Sequence, residues 1–183
     1  MFMGKYGIGV ILIFMILVIG VMKPRFLYPS NILNVLTQIS VNCLIAYGMC
    51  LCITTGGIDL SVGPQLALVS VLLGQFIVVR GMNIGLSVVL AVLAATVFGF
   101  VNGFLVAKFD MAAFVVTLAT QLVIRSIAQI ISDGQGMSMA SPAFKNIYSG
   151  TLAGIPYPII YMVVASIIMY IVMHWTKFGR YVF

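Results

Sequence analysis

The chain has 183 residues, of which 63% are hydrophobic and only 7% charged, with 9 Lys and Arg against 3 Asp and no Glu. Soluble domains carry about 25% charged residues, so a mean hydropathy of +1.23 excludes a soluble globular protein and fits an integral membrane protein with about six spans of roughly 20 residues. The net charge of +6 does not point to nucleic acid, because the cations stand singly between apolar runs, as juxtamembrane anchors do.

Hydropathy predicts an all-α polytopic transmembrane bundle, one membrane domain over 1–183, with segments at 7–22, 32–54, 62–79, 84–107, 112–132 and 159–176. The first follows Lys5, lacks a small-residue cleavage site and runs into Lys23 and Arg25, so it reads as a retained span rather than a signal peptide. The second carries Asn34, Gln38 and Asn42 at every fourth position. It also holds Cys43, Cys50 and Cys52, whose spacings suit neither a metal nor a redox pair; they read as buried packing thiols.

Between the second and third segments lies Thr55-Gly56-Gly57-Ile58-Asp59-Leu60-Ser61, followed by Gly63 and Pro64. Gly56 and Gly57 can end a helix in the left-handed region, while Asp59 or Ser61 can cap the next helix with Pro64 in its first turn. Asp59 would then sit beside that helix's positive end. Such a break either lines a substrate or coupling site, as in transporters, or is an ordinary tight turn; its chemistry leaves both readings open.

The fourth segment has small residues Ala91, Ala95, Gly99, Gly103 and Ala107 at every fourth position, including a GxxxG at Gly99 and Gly103. Such a stripe lets helix backbones approach closely and reads as an intramolecular packing face ahead of a dimer interface. The fifth segment places Thr117, Gln121, Arg125 and Gln129 four apart. Polar stripes are costly at membrane depth unless they face protein or water. Two of them imply either a lined path or helix-to-helix hydrogen bonding; the stripes, with Gln38 on one and Gln121 on the other, are expected to face one another or a shared cavity. Arg125 is the costliest, at least about 2.5 kcal/mol if unpartnered in the bilayer centre; it either pairs, with Asp59 as one candidate, or serves structure by snorkelling or capping.

The last connection, 133–158, holds four glycines and three prolines, and Ser141-Pro142 predicts a short surface helix over 142–149. His174 beside Trp175 has no second ligand candidate and reads as an interfacial side chain. No metal, cofactor or catalytic residue is indicated. Lys5, Lys108, Lys177 and Arg180 fall on one side of a six-span bundle, with Lys23, Arg25, Arg80 and Lys145 on the other, so charge alone leaves orientation open.

The run Thr55-Gly-Gly-Ile-Asp-Leu-Ser-Val-Gly63 closely resembles the signature of permease subunits of ribose/xylose/galactose-type ABC sugar importers, a family that also includes autoinducer-2 permeases. Four further stretches match that family in order: Asn102-Gly-Phe-Leu-Val-Ala-Lys108, Phe114-Val-Val-Thr-Leu118 with Arg125, Gly154-Ile-Pro-Tyr-Pro158, and Thr176-Lys-Phe-Gly-Arg-Tyr181. The resemblance implies an inner-membrane permease working with ABC ATPase subunits, an extracytoplasmic sugar-binding protein and a second permease subunit in membrane lipid. It also implies that the loop after F-G-R-Y is cytoplasmic, which with six spans places both termini there. Family members are much longer, so the chain resembles their N-terminal half, and without the rest it is expected not to support ATP-driven transport alone.

Nothing in the chain matches the phosphate loop G-x-x-x-x-G-K-[ST], so ATP hydrolysis would reside elsewhere. Neutral Gln38, Asn42, Thr117 and Gln121 suit a polyhydroxylated solute, which needs hydrogen bonds but no counter-ion. The alternatives are a gradient-driven secondary transporter or channel, in which Asp59 and Arg125 are the coupling charges, and a non-transporting permease remnant.

Overall fold

Proline placement sets the first helix boundaries. The computed structural model describes residues 2–137 and 141–182. Helix α1 (Phe2–Met22) ends before Pro24, which opens a 3-10 turn, Pro24–Leu27; Pro29 then starts α2 (Pro29–Thr54), where its missing N–H costs nothing. Gly20 lets this turn fold back, since a Cβ there would lie 2.9 Å from Leu27 Cδ1.

After the break, α3 (Val62–Leu73) runs on into a π-helical segment, Gly74–Val79. Asn83 caps α4 (Ile84–Phe109), its Oδ1 accepting from the Gly85 N–H at 2.8 Å and the Leu86 N–H at 3.4 Å. Helix α5 spans Ala113–Ile131. The surface helix α6 (Pro142–Ser149) is capped by Ser141, which accepts from the Phe144 N–H at 3.5 Å. A hairpin of β1 (Thr151–Leu152) and β2 (Ile155–Pro156) follows, absent from the sequence reading. Its two turn residues, Ala153 and Gly154, have φ of 52° and 82°, the twist that two-residue hairpins favour. Helices α7 (Tyr157–Trp175) and α8 (Lys177–Val182) complete the described residues.

Among the described residues, five helical stretches are long and apolar enough to cross a membrane: Pro29–Thr54, Val62–Val79, Ile84–Phe109, Ala113–Ile131 and Tyr157–Trp175, with Gly7–Met22 as a shorter apolar helix. The chain is therefore a multi-pass helical membrane protein.

The helices pack in two groups. Helix α3 lies against α4 and α5, which also touch each other. Leu68, Ile124 and Ala128 form the buried centre there, flanked by Val71, Leu72, Phe98, Ile127 and Ile131. Helix α2 instead lies along α7. Tyr47 and Ser166 join that pair, with Oη and Oγ 2.5 Å apart; because the Ser166 hydroxyl donates to the Met162 carbonyl at 2.7 Å, Tyr47 is the donor. Most large apolar side chains elsewhere are exposed along the helices, as suits lipid-facing surfaces.

Two expectations are corrected here. None of the three cysteines is buried: Cys50 is exposed, and Cys43 and Cys52 are half-buried. The core lies with α3, α4 and α5, whereas α2 packs mainly along α7, which leaves much of its surface open. The small-residue stripe of α4 is likewise no continuous packing face. Ala91 is buried and Ala95 half-buried, whereas Gly99 and Gly103 are exposed with nothing within 4 Å of a built Cβ. An α-helix turns about 100° per residue, so positions four apart drift about 40° per step, and the stripe winds off the contact.

Candidate functional site

The C-terminal end of α2 closes on itself through two hydrogen bonds. The Gly57 N–H donates to the Cys52 carbonyl at 2.9 Å and the Gly56 N–H to the Ile53 carbonyl at 3.0 Å, the paired pattern of a left-handed helix stop. Gly56 alone takes the left-handed conformation, with φ of 81°; Gly57 does not. A Cβ on Gly57 would meet only ordinary contacts, 3.4 Å from the Cys52 carbonyl oxygen and 3.5 Å from Ala113 Cβ. Gly56→Ala should therefore destabilise by about 1–2 kcal/mol, and Gly57→Ala by little. Thermal unfolding of both variants in one detergent checks this; the reverse order would show that the stop does not depend on Gly56.

Asp59 and Ser61 then start α3 in a manner the sequence did not specify. Ser61 occupies the cap position, yet its side chain makes no capping bond to the first turn. Its backbone N–H and its hydroxyl both donate to Asp59 Oδ1, at 2.7 and 2.6 Å. The Ser61 oxygen in turn accepts from Gln65 Nε2 at 2.8 Å and from Asn102 Nδ2 of α4 at 3.1 Å. On the far side of Asn102, Oδ1 lies 2.6 Å from the Thr120 hydroxyl of α5. A second, shared strut comes from Thr117, whose single hydroxyl proton lies between the Ala113 carbonyl of its own helix at 2.8 Å and the Ile58 carbonyl of the break at 3.1 Å. Ser61 has 0% exposure, Thr117 4% and Asn102 5%, so these bonds are shielded from competing water.

The struts hold the break over a cavity of about 510 Å³, within the range of small-molecule pockets. Cys52 contributes from α2, Thr55 and Asp59 from the break, Gly99 and Asn102 from α4, and Thr117 from α5. Gly99 and Gly103, expected to pack helices, instead line this space and keep it open. Gly63 lies in the first turn of α3, exposed and touching nothing.

The other candidate residues lie elsewhere. Gln38 and Asn42 are exposed on α2, whose packing partner is α7 rather than α5. Gln121 is half-buried and Arg125 exposed; neither lines the cavity with Asp59. The same drift of about 40° per step explains the α5 series, in which Thr117 is buried, Gln121 half-buried, and Arg125 and Gln129 exposed. The structure thus does not bring the two polar stripes together. Asn102, Thr120 and Gln65, which it does bring together with Ser61, were not singled out as site residues; a lone Asn in the strongly apolar fourth segment was the available signal.

The family described as the permease component of branched-chain amino acid transport systems matches residues 31–183. The chain belongs to that permease family. It is 40% identical over 180 residues to the ribose import permease protein of Bacillus subtilis, an alignment covering 97% of this chain and 56% of that protein. It is 35% identical over 176 residues to the ribose import permease protein of Haemophilus influenzae, covering 94% and 54%. To the D-allose transport system permease protein of Escherichia coli it is 31% identical over 185 residues, covering 100% and 56%. The chain therefore spans about half the length of these relatives. No solved structure matches it. In this permease, then, the segments 55–63, 102–108 and 114–118 converge through Ser61, Asn102 and Thr117 on one cavity.

Proposed function

We propose that this permease forms part of the membrane path of an ATP-driven sugar importer. The observation that carries the reading is the convergence of three sequence-distant segments on a cavity whose polar lining is Thr55, Asn102, Thr117 and one carboxylate, Asp59, with no cation among the described residues, a set of hydrogen-bonding groups that suits a polyhydroxylated solute. Similarity to ribose and allose permeases supports the sugar class. The chain would sit in the cytoplasmic membrane, with ATP hydrolysis in separate ATPase subunits and solute delivered by an extracytoplasmic sugar-binding protein. On the resemblance of 176–181 to the F-G-R-Y segment, α8 would face the cytoplasm; counting six spans back, the N-terminus would face it too, and the cavity would lie in the cytoplasmic half.

Open surfaces support a second permease polypeptide as partner. Asn34, Gln38 and Asn42 are all exposed on α2, as is Arg125 on α5, and polar groups at membrane depth require protein or water against them. Gln38, Asn42, Gln121 and Arg125 then belong to a path completed by that partner.

The test is uptake of labelled sugar into proteoliposomes containing the permease, its ATPase, its loaded binding protein and a second permease polypeptide. ATP-dependent accumulation is expected. Uptake driven by a proton or sodium gradient with no ATPase present would sink the importer reading in favour of a secondary transporter.

A further inference from the structure

The one carboxylate at the cavity is set up differently from the polar groups around it. Both hydrogen bonds received by Asp59 go to Oδ1, and no bond from a described residue reaches Oδ2. That oxygen is not among the buried, unpartnered atoms either, so it is accessible. Among the described residues, the cavity lining contains no Lys, Arg or His. Lys108 and Asp110, near the end of α4, are exposed and outside the lining, as is Arg125. The chain as a whole carries a net charge of +6, yet its cavity carries a single negative charge.

We propose that Asp59 makes this cavity a charge filter, admitting uncharged and cationic solutes and turning away anionic ones such as phosphorylated or carboxylated sugars. This rests on the reading of the cavity as part of a solute path, and it adds the discriminating residue. Helix termini compete with it. The C-terminus of α2 and the N-terminus of α3 meet at the break with opposed half-charges, leaving the N-terminus of α5 at Ala113. A helix N-terminus is worth roughly half a positive charge, against a full negative charge on Asp59. Distant surface cations are screened beyond about 10 Å at ordinary salt. The carboxylate therefore sets the local sign.

Cys52 lines the same cavity and serves as a built-in reporter. With Cys43 and Cys50 replaced by Ala, the full chain in neutral detergent is treated separately with cationic, anionic and neutral methanethiosulfonate reagents. Each rate is divided by that of the same reagent with free 2-mercaptoethanol. A unit charge several ångströms away in a hydrated site raises the cationic rate and lowers the anionic rate by about threefold each, so the normalised cationic-to-anionic ratio should be about 10. Because a ratio is read, any effect of Asp59 on thiol ionisation cancels.

Asp59→Asn, which keeps an oxygen to accept from Ser61, should bring the ratio to within about twofold of 1, and Asp59→Glu should keep it high. Raising the salt should compress it in the unaltered site, a check that needs no substitution at Asp59. A ratio favouring the anion would show that the helix N-termini dominate; a ratio unmoved by Asp59→Asn, or a Cys52 inert even to the neutral reagent, would equally overturn the filter. None of these readings needs transport. A charge ratio without sugar uptake would remove the importer reading and leave the filter, and uptake without a charge ratio would do the opposite.

Discussion

Gly179→Ala should break the elbow between α7 and α8, with a stability loss of about 1–3 kcal/mol and a larger one for Gly179→Val. Thr176 is extended between the two helices, with φ of −108° and ψ of 164°, and α8 folds back so closely that a Cβ on buried Gly179 would overlap the Met173 carbonyl. The obstacle is backbone, which cannot rotate aside as a side-chain tip can. The elbow must open, and the 3.5 Å bond from the Gly179 N–H to Thr176 Oγ1 goes with it. Gly63→Ala is the matched control, because it is helical and meets nothing within 4 Å, so it should be neutral or slightly stabilising. Melting in a single detergent compares the two. Equal melting temperatures would mean that α8 does not dock as described.

How much of this could be read beforehand differed with the kind of signal. Long apolar runs carry membrane spans almost unaided, and the expected 62–79 and 142–149 coincide with Val62–Val79 and Pro142–Ser149. Prolines and caps supplied those edges. Facing relations were harder. A stripe at every fourth position looks like one face in the sequence, but it drifts by about 40° per step, so Ala91 is buried while Gly103 lines a cavity. The hairpin was hidden because its strands are two residues each and Ala153 is an unusual residue for a positive φ. The Ser61 to Asn102 to Thr120 relay joins positions 41 and 18 residues apart. No local periodicity encodes such a contact; only the packing of α3 against α4 and α5 creates it.

Ser61→Ala should be the most damaging small substitution at the break, at about 2–4 kcal/mol from two donors left unpaired. The change removes one oxygen and almost no volume, so packing loss is minor. What is lost is a hub: the hydroxyl donates to Asp59 Oδ1 and accepts from both Gln65 Nε2 and Asn102 Nδ2. Water cannot readily replace it, since Ser61 has no exposed surface. Thr120→Val removes the outer bond to Asn102 Oδ1, together with the hydroxyl's contact to the Val116 carbonyl of its own helix, and should cost about 1 kcal/mol. Because both act through Asn102, the double variant should fall short of the sum by at least about 0.5 kcal/mol. Additive losses would mean that the two bonds are independent and that no relay ties the break to α5. A second readout follows from the geometry: with its hub gone, the hydrogen bond left between the break and α5 is the shared one from Thr117. The neutral thiol reagent should then reach Cys52 several-fold faster than in the parent, whereas a purely global loss of stability would also speed labelling at Cys43, on the part of α2 that lies away from the cavity.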